Sequence, residues 1–501
     1  MNLIDHVISA VSPEAGLRRA RARAATVALT RRYEGASAGR RTEGWITAGT
    51  DANAEVGPAL SRLRDRARDL VRNNAYAAKA VTALATNLIG TGIIPRARAD
   101  DPALAEAADA LWARFVRECD ASGHTDFFGL QTLIARTMVE SGECLVRLRR
   151  RPSGDGLAVP FQIQVLEPDH LDSGRDGDLS GGRYIRHGIE FDGFGAPAAY
   201  WLFPRHPGDS RLSGGVSLRV PATDVLHVYD QLRPGQFRGV TWFAPALMKL
   251  RDLDEFDEAE LVRKKIESCF VAFVMGGDPE ETITDASIDD QGKRIERFRP
   301  GMVAYLPPGR DVRFGQPSAS AGYPECARVQ LHAVAAALGL TYELLTGDLS
   351  QVNYSSIRAG LLEFRRRIEQ LQWQVLVPGL CRPVWRMFVD TAQAAGALPA
   401  GEIEAEWTPP RFEAVDPLKD VQADILAVRA GFMTLKEAIA RQGYDPTAVL
   451  TEIAVTNETL DELNIVLDTD PRRSTRTGLD KPLPSTQAEL DAAALAEQAT
   501  T

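Results

Sequence analysis

Cysteine is scarce and scattered in this chain. The five thiols are Cys119, Cys144, Cys269, Cys326 and Cys381 in 501 residues, and none stands within a few residues of another. That spacing excludes a zinc-binding pair and implies no disulfide framework. A reducing cytosol is the natural compartment. The seven histidines are as dispersed, so no metal site is expected. No apolar run approaches the length that crosses a bilayer. The best candidate, residues 75–94, contains Lys79, Asn87 and two glycines and reads as a buried helix, so no membrane partner is expected. The first residues, MNLIDHVISAVSPEAG, lack a charged leader before a long apolar stretch, which argues against a secretion signal. Phosphate-loop, HExxH and dinucleotide-binding patterns are missing too. One GxSxG run occurs at residues 35–39, but it lies among arginines and small residues. A nucleophile elbow needs a strand before it and a helix after it. No catalytic residue and no cofactor are therefore assigned.

What is present is an acidic, multidomain chain. Its length implies two to four domains. A net charge of −10 excludes a protein that grips nucleic acid over its whole surface. It does not exclude one that lets nucleic acid slide past. Against that acidic background, residues 17–41 hold Arg18, Arg19, Arg21, Arg23, Arg31, Arg32, Arg40 and Arg41 against the single acid Glu34. This reads as a partly disordered arm, or as one that contacts phosphates or an acidic neighbour. At the other end, residues 470–501 are polar and rich in Pro, Ser, Thr and Ala, which reads as a disordered tail.

Between them the hydrophobic period changes several times. Helical spacing runs through residues 60–88, 104–118 and 128–140. Residues 143–149 (ECLVRLR) then alternate as a strand with Cys144, Val146 and Leu148 on one face, and 161–166 and 225–229 read as further strands. Residues 184–191 and 198–203 flank Asp192-Gly193-Phe194-Gly195, a hairpin signal. A long helix is expected over 245–273. Its acids Asp252, Asp254, Glu255, Asp257, Glu258 and Glu260 come early and Arg263, Lys264 and Lys265 late, which complements the helix dipole. Residues 302–306 and 312–314 read as strands around the turn 307–310. A second helix follows at 326–338 and stops at Gly339. Residues 346–353 (TGDLSQVN) form a polar loop. Residues 355–388 read as a helix interrupted at Pro378-Gly379, 416–441 as a helical pair broken at Gly431, and 443–465 as more helix. Ser355 and Ser356 have no histidine nearby in sequence, and helix capping by Asn353 or Ser355 is the plainer role.

Four stretches together resemble the lambda-type portal family of tailed phages. They are VRNNAYAAKAVTALATNLIGTGIIPRA (71–97), DVLHVYDQLRPGQFRGVTWFAPALMKLRDLDEFDEAELVRKKIESCFVAFV (224–274), LGLTYELLTGDLSQVNYSSIRAGLLEF (338–364) and VDPLKDVQADILAVRAGFMTLKEAIARQGYD (415–445). The resemblance implies an α+β multidomain portal fold: a helical stem and crown, a β-rich wing and a small β-containing clip. Carried onto this chain, it makes residues 1–59 the arm, 60–240 the wing and 241–275 the first stem helix. Residues 276–320 become the clip, 321–345 the second stem helix and 346–354 the tunnel loop. Residues 355–400 become the long wing helix, 401–467 the crown and 468–501 the tail. It also implies a homo-oligomeric ring of about twelve copies at one capsid vertex, assembled in the host cytoplasm. Through it double-stranded DNA is packaged and ejected. The implied partners are the terminase large subunit, the major capsid and scaffold proteins, and head-tail adaptor proteins. The clip residues Lys293, Arg294, Arg297, Arg299 and Arg310 are the candidates for docking terminase and adaptors.

Physics adds a constraint on such a conduit. Every phosphate neutralised by Lys or Arg releases counterions and slows sliding. The loop TGDLSQVN has one acid, amides and hydroxyls, and no cation. Asp348, Leu349, Ser350, Gln351, Val352 and Asn353 are therefore the expected tunnel loop. Two rivals make other demands. A nucleic-acid-processing enzyme needs a compact acidic metal site, and a non-viral scaffold or adaptor needs no ring closure.

Overall fold

The computed structural model describes residues 12–30, 40–211, 215–268, 272–275, 286–288, 294–296, 311–314, 322–410, 412, 417–467, 470 and 472. Two compact units divide the chain, Met1–Glu55 and Val56–Thr501. In the first, alanine and arginine, both strong helix formers, build helix α1 (Pro13–Thr30). The expected disordered arm is therefore helical up to Thr30. The GxSxG run and the tail beyond Arg472 lie outside the described residues.

The second unit opens with α2 (Leu60–Asn73) and α3 (Ala75–Ile89), where one helix over 60–88 was expected. Asn74 makes the break. Its backbone is extended, and its side chain accepts from the Ala77 amide at 2.9 Å, capping α3. Strand β1 (Ile94–Arg98) follows, then α4 (Pro102–Glu118) and α5 (Phe127–Ser141), capped by Asp101 and Asp126.

Next come β2 (Glu143–Arg150), β3 (Phe161–Leu166), β4 (Gly177–Asp178), β5 (Tyr184–Arg186), β6 (Ile189–Phe191), β7 (Pro197–Leu202), β8 (Leu218–Pro221) and β9 (Val225–Tyr229). They form two antiparallel sheets, ordered β3-β2-β9 and β4-β5-β6-β7-β8. Cys144, Val146 and Leu148 of β2 enter the main core, while Leu145 joins a second core under the five-stranded sheet. Strand β2 is thus covered on both faces over its first half. The expected strand 184–191 is two strands, because His187 and Gly188 take φ of 49° and 81° and turn the chain. At the hairpin signal, Asp192 Oδ1 accepts from the Phe194 and Ala196 amides, both at 2.9 Å.

Helix α6 (Leu247–Ser268) is shorter than the expected 245–273. Phe273 lies instead in β10 (Ala272–Met275), the apolar, strand-favouring run FVAFV having taken over. β11 (Ala286–Ile288) pairs with β12 (Arg294–Glu296), and β10 pairs with β13 (Asp311–Phe314). The β pairing between two long helices agrees with expectation; the strand and turn expected at 302–310 lie outside the described residues. Helix α7 (Tyr323–Leu338) ends at Gly339, φ 68°.

A single turn α8 (Tyr342–Thr346) leads to α9 (Tyr354–Leu371). The expected interruption at Pro378 is a π-helical stretch, Gln372–Cys381. Its wider turns accommodate a residue that has no N–H to donate. Helix α10 (Arg382–Ala394) continues to β14 (Glu404–Thr408), which pairs antiparallel with β1 across more than three hundred residues of sequence. Helices α11 (Pro417–Arg429), α12 (Leu435–Arg441) and α13 (Pro446–Glu462) complete the unit. Gly431, φ 76°, sits at the expected break.

The main core centres on Trp112 of α4. Its ring lies 5.2 Å from Phe127, 5.1 Å from Trp385 and 5.0 Å from Phe388. Four rings from three helices thus fix α4, α5 and α10 together.

Candidate functional site

The polar loop at residues 346–354 is built between two helix ends. Thr341 caps α8, and Gly347, φ 76°, closes it. Asn353 then starts α9 with a reciprocal cap. Its Oδ1 accepts from the Ser356 amide at 2.9 Å, and its own amide donates to Ser356 Oγ at 3.2 Å. Of the two capping candidates, Asn353 does the work. Ser356 is engaged in that cap.

Asp348 is the organising residue of the loop. Its Oδ1 accepts from the Ser350 amide at 2.9 Å, and its Oδ2 accepts from Tyr342 Oη at 3.3 Å. The Ser350 hydroxyl and amide beside it hold the Asp348 carboxyl below its ordinary value. Ser350, Gln351 and Asn353 are exposed, Val352 is half-buried, and Leu349 stands 60% exposed at the tip. The loop itself carries no cation, but Arg328 from α7 lies over the Tyr342 ring and attracts Asp348. Sequence reading missed Arg328, which lies twenty residues away along the chain.

Of the five docking candidates in the expected clip, Arg294 alone is described, as the first residue of β12. Lys293, Arg297, Arg299 and Arg310 lie outside the described residues.

A second polar cluster has no counterpart in the sequence reading. Glu143, at the first position of β2, is fully buried, and Arg238 is 1% exposed. The Glu143 carboxylate accepts from Arg238 Nε at 3.0 Å and Nη2 at 2.5 Å, from the Gly239 amide at 2.7 Å, and meets His227 Nε2 at 2.9 Å. Burial alone pushes this carboxyl up, but Arg238 and His227 outweigh burial and hold it well below the usual range. Arg64 of α2 reaches toward the same carboxylate at 3.9 Å and pairs with Asp169 at 3.1 Å. The only sequence signal was a glutamate opening an apolar strand.

Glu167, Asp169 and His206 place potential ligand atoms within 4.8 Å of one another. Asp169, however, already pairs with Arg68 at 2.7 Å and with Arg64, so two guanidiniums balance its charge and repel a cation. The buried thiols are held in the neutral form. Burial pushes Cys119 up to about 12 and raises Cys144 and Cys381 further. No helix among the described residues is long and apolar enough to cross a membrane.

Comparison with known proteins points to one family. Residues 38–372 match the family described as phage portal protein, lambda family. The probable portal protein of Halomonas phage phiHAP-1 is 29% identical over 459 residues, covering 85% of this chain and 86% of that one. Portal protein B of Escherichia phage lambda is 22% identical over 481 residues, covering 82% and 86%. A solved chain from the neck of a native GTA particle, computed with C12 symmetry, is 15% identical with a TM-score of 0.44. It covers 76% of this chain and 94% of its own. The match to the family runs through both the buried Glu143 cluster and the Asp348 loop, and the chain belongs to the lambda family of phage portal proteins.

Proposed function

We propose that copies of this chain close into a ring at one capsid vertex and that double-stranded DNA passes through its bore during packaging and ejection. The observation that carries the ring is apolar surface the chain cannot bury by itself. No side chain of α11, α12 or α13 is buried. Phe432, Leu418, Leu426 and Leu463 are 88%, 69%, 64% and 63% exposed. On α6, Leu261 and Val262 are 55% and 47% exposed. Exposed apolar faces of this extent mark association. A head-to-tail contact that closes on itself gives a ring.

In this reading residues 60–240 are the wing, α6 and α7 the stem, the β pairing between them the clip, and 401–467 the crown. The loop 346–354 faces the bore. The clip, with Lys293, Arg294, Arg297, Arg299 and Arg310, docks the terminase large subunit and later the head-tail adaptors. The arm touches capsid or scaffold protein.

The bore works by not binding. A ring of twelve such chains carries a net charge of about −120, a field of DNA's own sign. Asp348 adds one negative charge per subunit to the loop. The duplex is confined sideways without the counterion release that would hold it. The chain contributes no catalytic step, and the energy for movement comes from the terminase ATPase. Negative-stain images of the purified protein test the ring. Closed annuli with a central hole are expected, and monomers or dimers under all conditions would overturn the reading.

A further inference from the structure

The Glu143 cluster lies where the chain leaves the sheets for α6. One buried carboxylate gathers β2, β9 through His227, and segment 238–239 through Arg238 and the Gly239 amide. Arg238 extends the tie. Its Nη1 donates to Ser173 Oγ at 2.9 Å and to the His187 carbonyl at 3.3 Å. The backbones meet at the same point. A Cβ on Gly239 would lie 2.2 Å from the Gly142 carbonyl oxygen, and one on Gly142 2.2 Å from the Val240 carbonyl carbon. Segment 238–240 therefore crosses the α5–β2 corner at backbone contact, and a charged pair pins it there.

The root of α6 follows within a few residues. Phe243, Ala246, Leu247, Leu250 and Leu253 are buried in the main core. From Asp254 to Lys265 no side chain is buried. The buried anchoring of the helix is therefore confined to its root, and beyond it Asp257 and Phe256 meet Tyr323 at the start of α7. A buried ion pair adds little net stability over an apolar replacement, but removing one partner leaves an uncompensated charge. Its value lies in the single geometry it permits.

We infer that Glu143 and Arg238 are positioning residues that fix the direction in which α6 leaves the sheet body, and with it the angle between neighbouring copies in the ring. The angular consequence rests on the ring proposed above. Twelve copies need about 30° per step and thirteen about 28°, so a tilt of a few degrees at the root changes which ring closes.

The test compares Glu143→Gln and Arg238→Lys with wild type by hydrogen exchange and native mass spectrometry. A core control, Val81→Ala in α3, is included. Both latch variants are expected to raise amide exchange in residues 238–246 by at least about tenfold relative to the rest of the chain and to broaden the distribution of ring sizes. The core control raises exchange around α3 without singling out 238–246. Ser173→Ala removes one outer bond and keeps the fold even if Glu143→Gln does not; a smaller rise in the same segment is expected. Exchange at 238–246 that stays at wild-type level in the folded variants overturns the latch. Faster exchange with an unchanged ring-size distribution overturns the angular role. Wild-type protein that forms no ring counts against the ring, while the exchange measurements still decide the latch.

Discussion

Asn74 donates from Nδ2 to Asp254 Oδ1 across 2.6 Å while its own Oδ1 caps α3. One side chain thus ends a helix break and ties it to the second turn of α6. Asn74→Ala removes the cap and the Asp254 donor together. A loss of about 2 kcal/mol is expected, read as a lower urea midpoint at unchanged slope. Asn74→Asp keeps the cap but sets a second carboxylate against Asp254, whose carboxyl burial already raises. Raised folded-state values cost stability above them, so this variant's deficit is expected to shrink as pH falls through the carboxylate range. A deficit independent of pH would disprove the like-charge account.

Glu143 has the opposite sign. Burial opposes its ionisation, yet Arg238 and His227 hold its carboxyl well below the ordinary glutamate value of 4.5. A depressed folded-state value contributes stability that is complete above about pH 4.5 and is lost as pH falls toward the folded value. The stability curve of wild type is expected to fall steeply on that acid limb, and that of Glu143→Gln to be flatter there. Parallel acid limbs in urea titrations from pH 6 to pH 3 would exclude the assignment.

In the loop 346–354, the chemistry of sliding sets the outcome. Asp348→Arg and Gln351→Arg each place a ring of cations where none stood. Rings are expected to assemble normally, while DNA filling of heads falls, more steeply at low salt because phosphate contacts weaken with salt. Filling equal to wild type would remove this loop from the bore.

The exposed apolar residues of α11–α13 and their connections make a different demand. Leu426→Ser and Phe432→Ser touch no core, so melting of the dilute subunit is expected to change by no more than about 0.5 kcal/mol. Association is expected to weaken at least about tenfold. The check is the concentration at which annuli form in sedimentation velocity. An unchanged threshold would mean that these faces are not buried between copies.

Much of the fold was legible locally. Helix stops at Gly339 and Gly431, the strands 161–166 and 225–229 and the Asn353 cap follow from φ > 0, alternation and side-chain oxygen, each decided within a few residues. The misses share a cause as well. The pairing of β1 with β14 joins segments that are short and not distinctive alone. The break at Asn74 sits in a stretch whose apolar spacing reads straight through it. The strand at Phe273 competes with a helix pattern that runs up to it. The loop 346–354 was singled out in the sequence by its polar run without a cation, whereas Arg328 beside it comes from another helix.

Composition and spacing alone determined that this is an acidic chain long enough for several domains, with a helix–β–helix insertion and a polar loop that holds one acid and no cation. Those properties depend on residue type and on neighbours in sequence. Tertiary structure decided that Glu143 and Arg238 meet, that β14 returns to β1, and that three late helices bury nothing of their own. A carboxylate's partner, a strand's edge and a helix's unburied face depend on which distant segments pack together, and close packing settles that only once the whole core has formed.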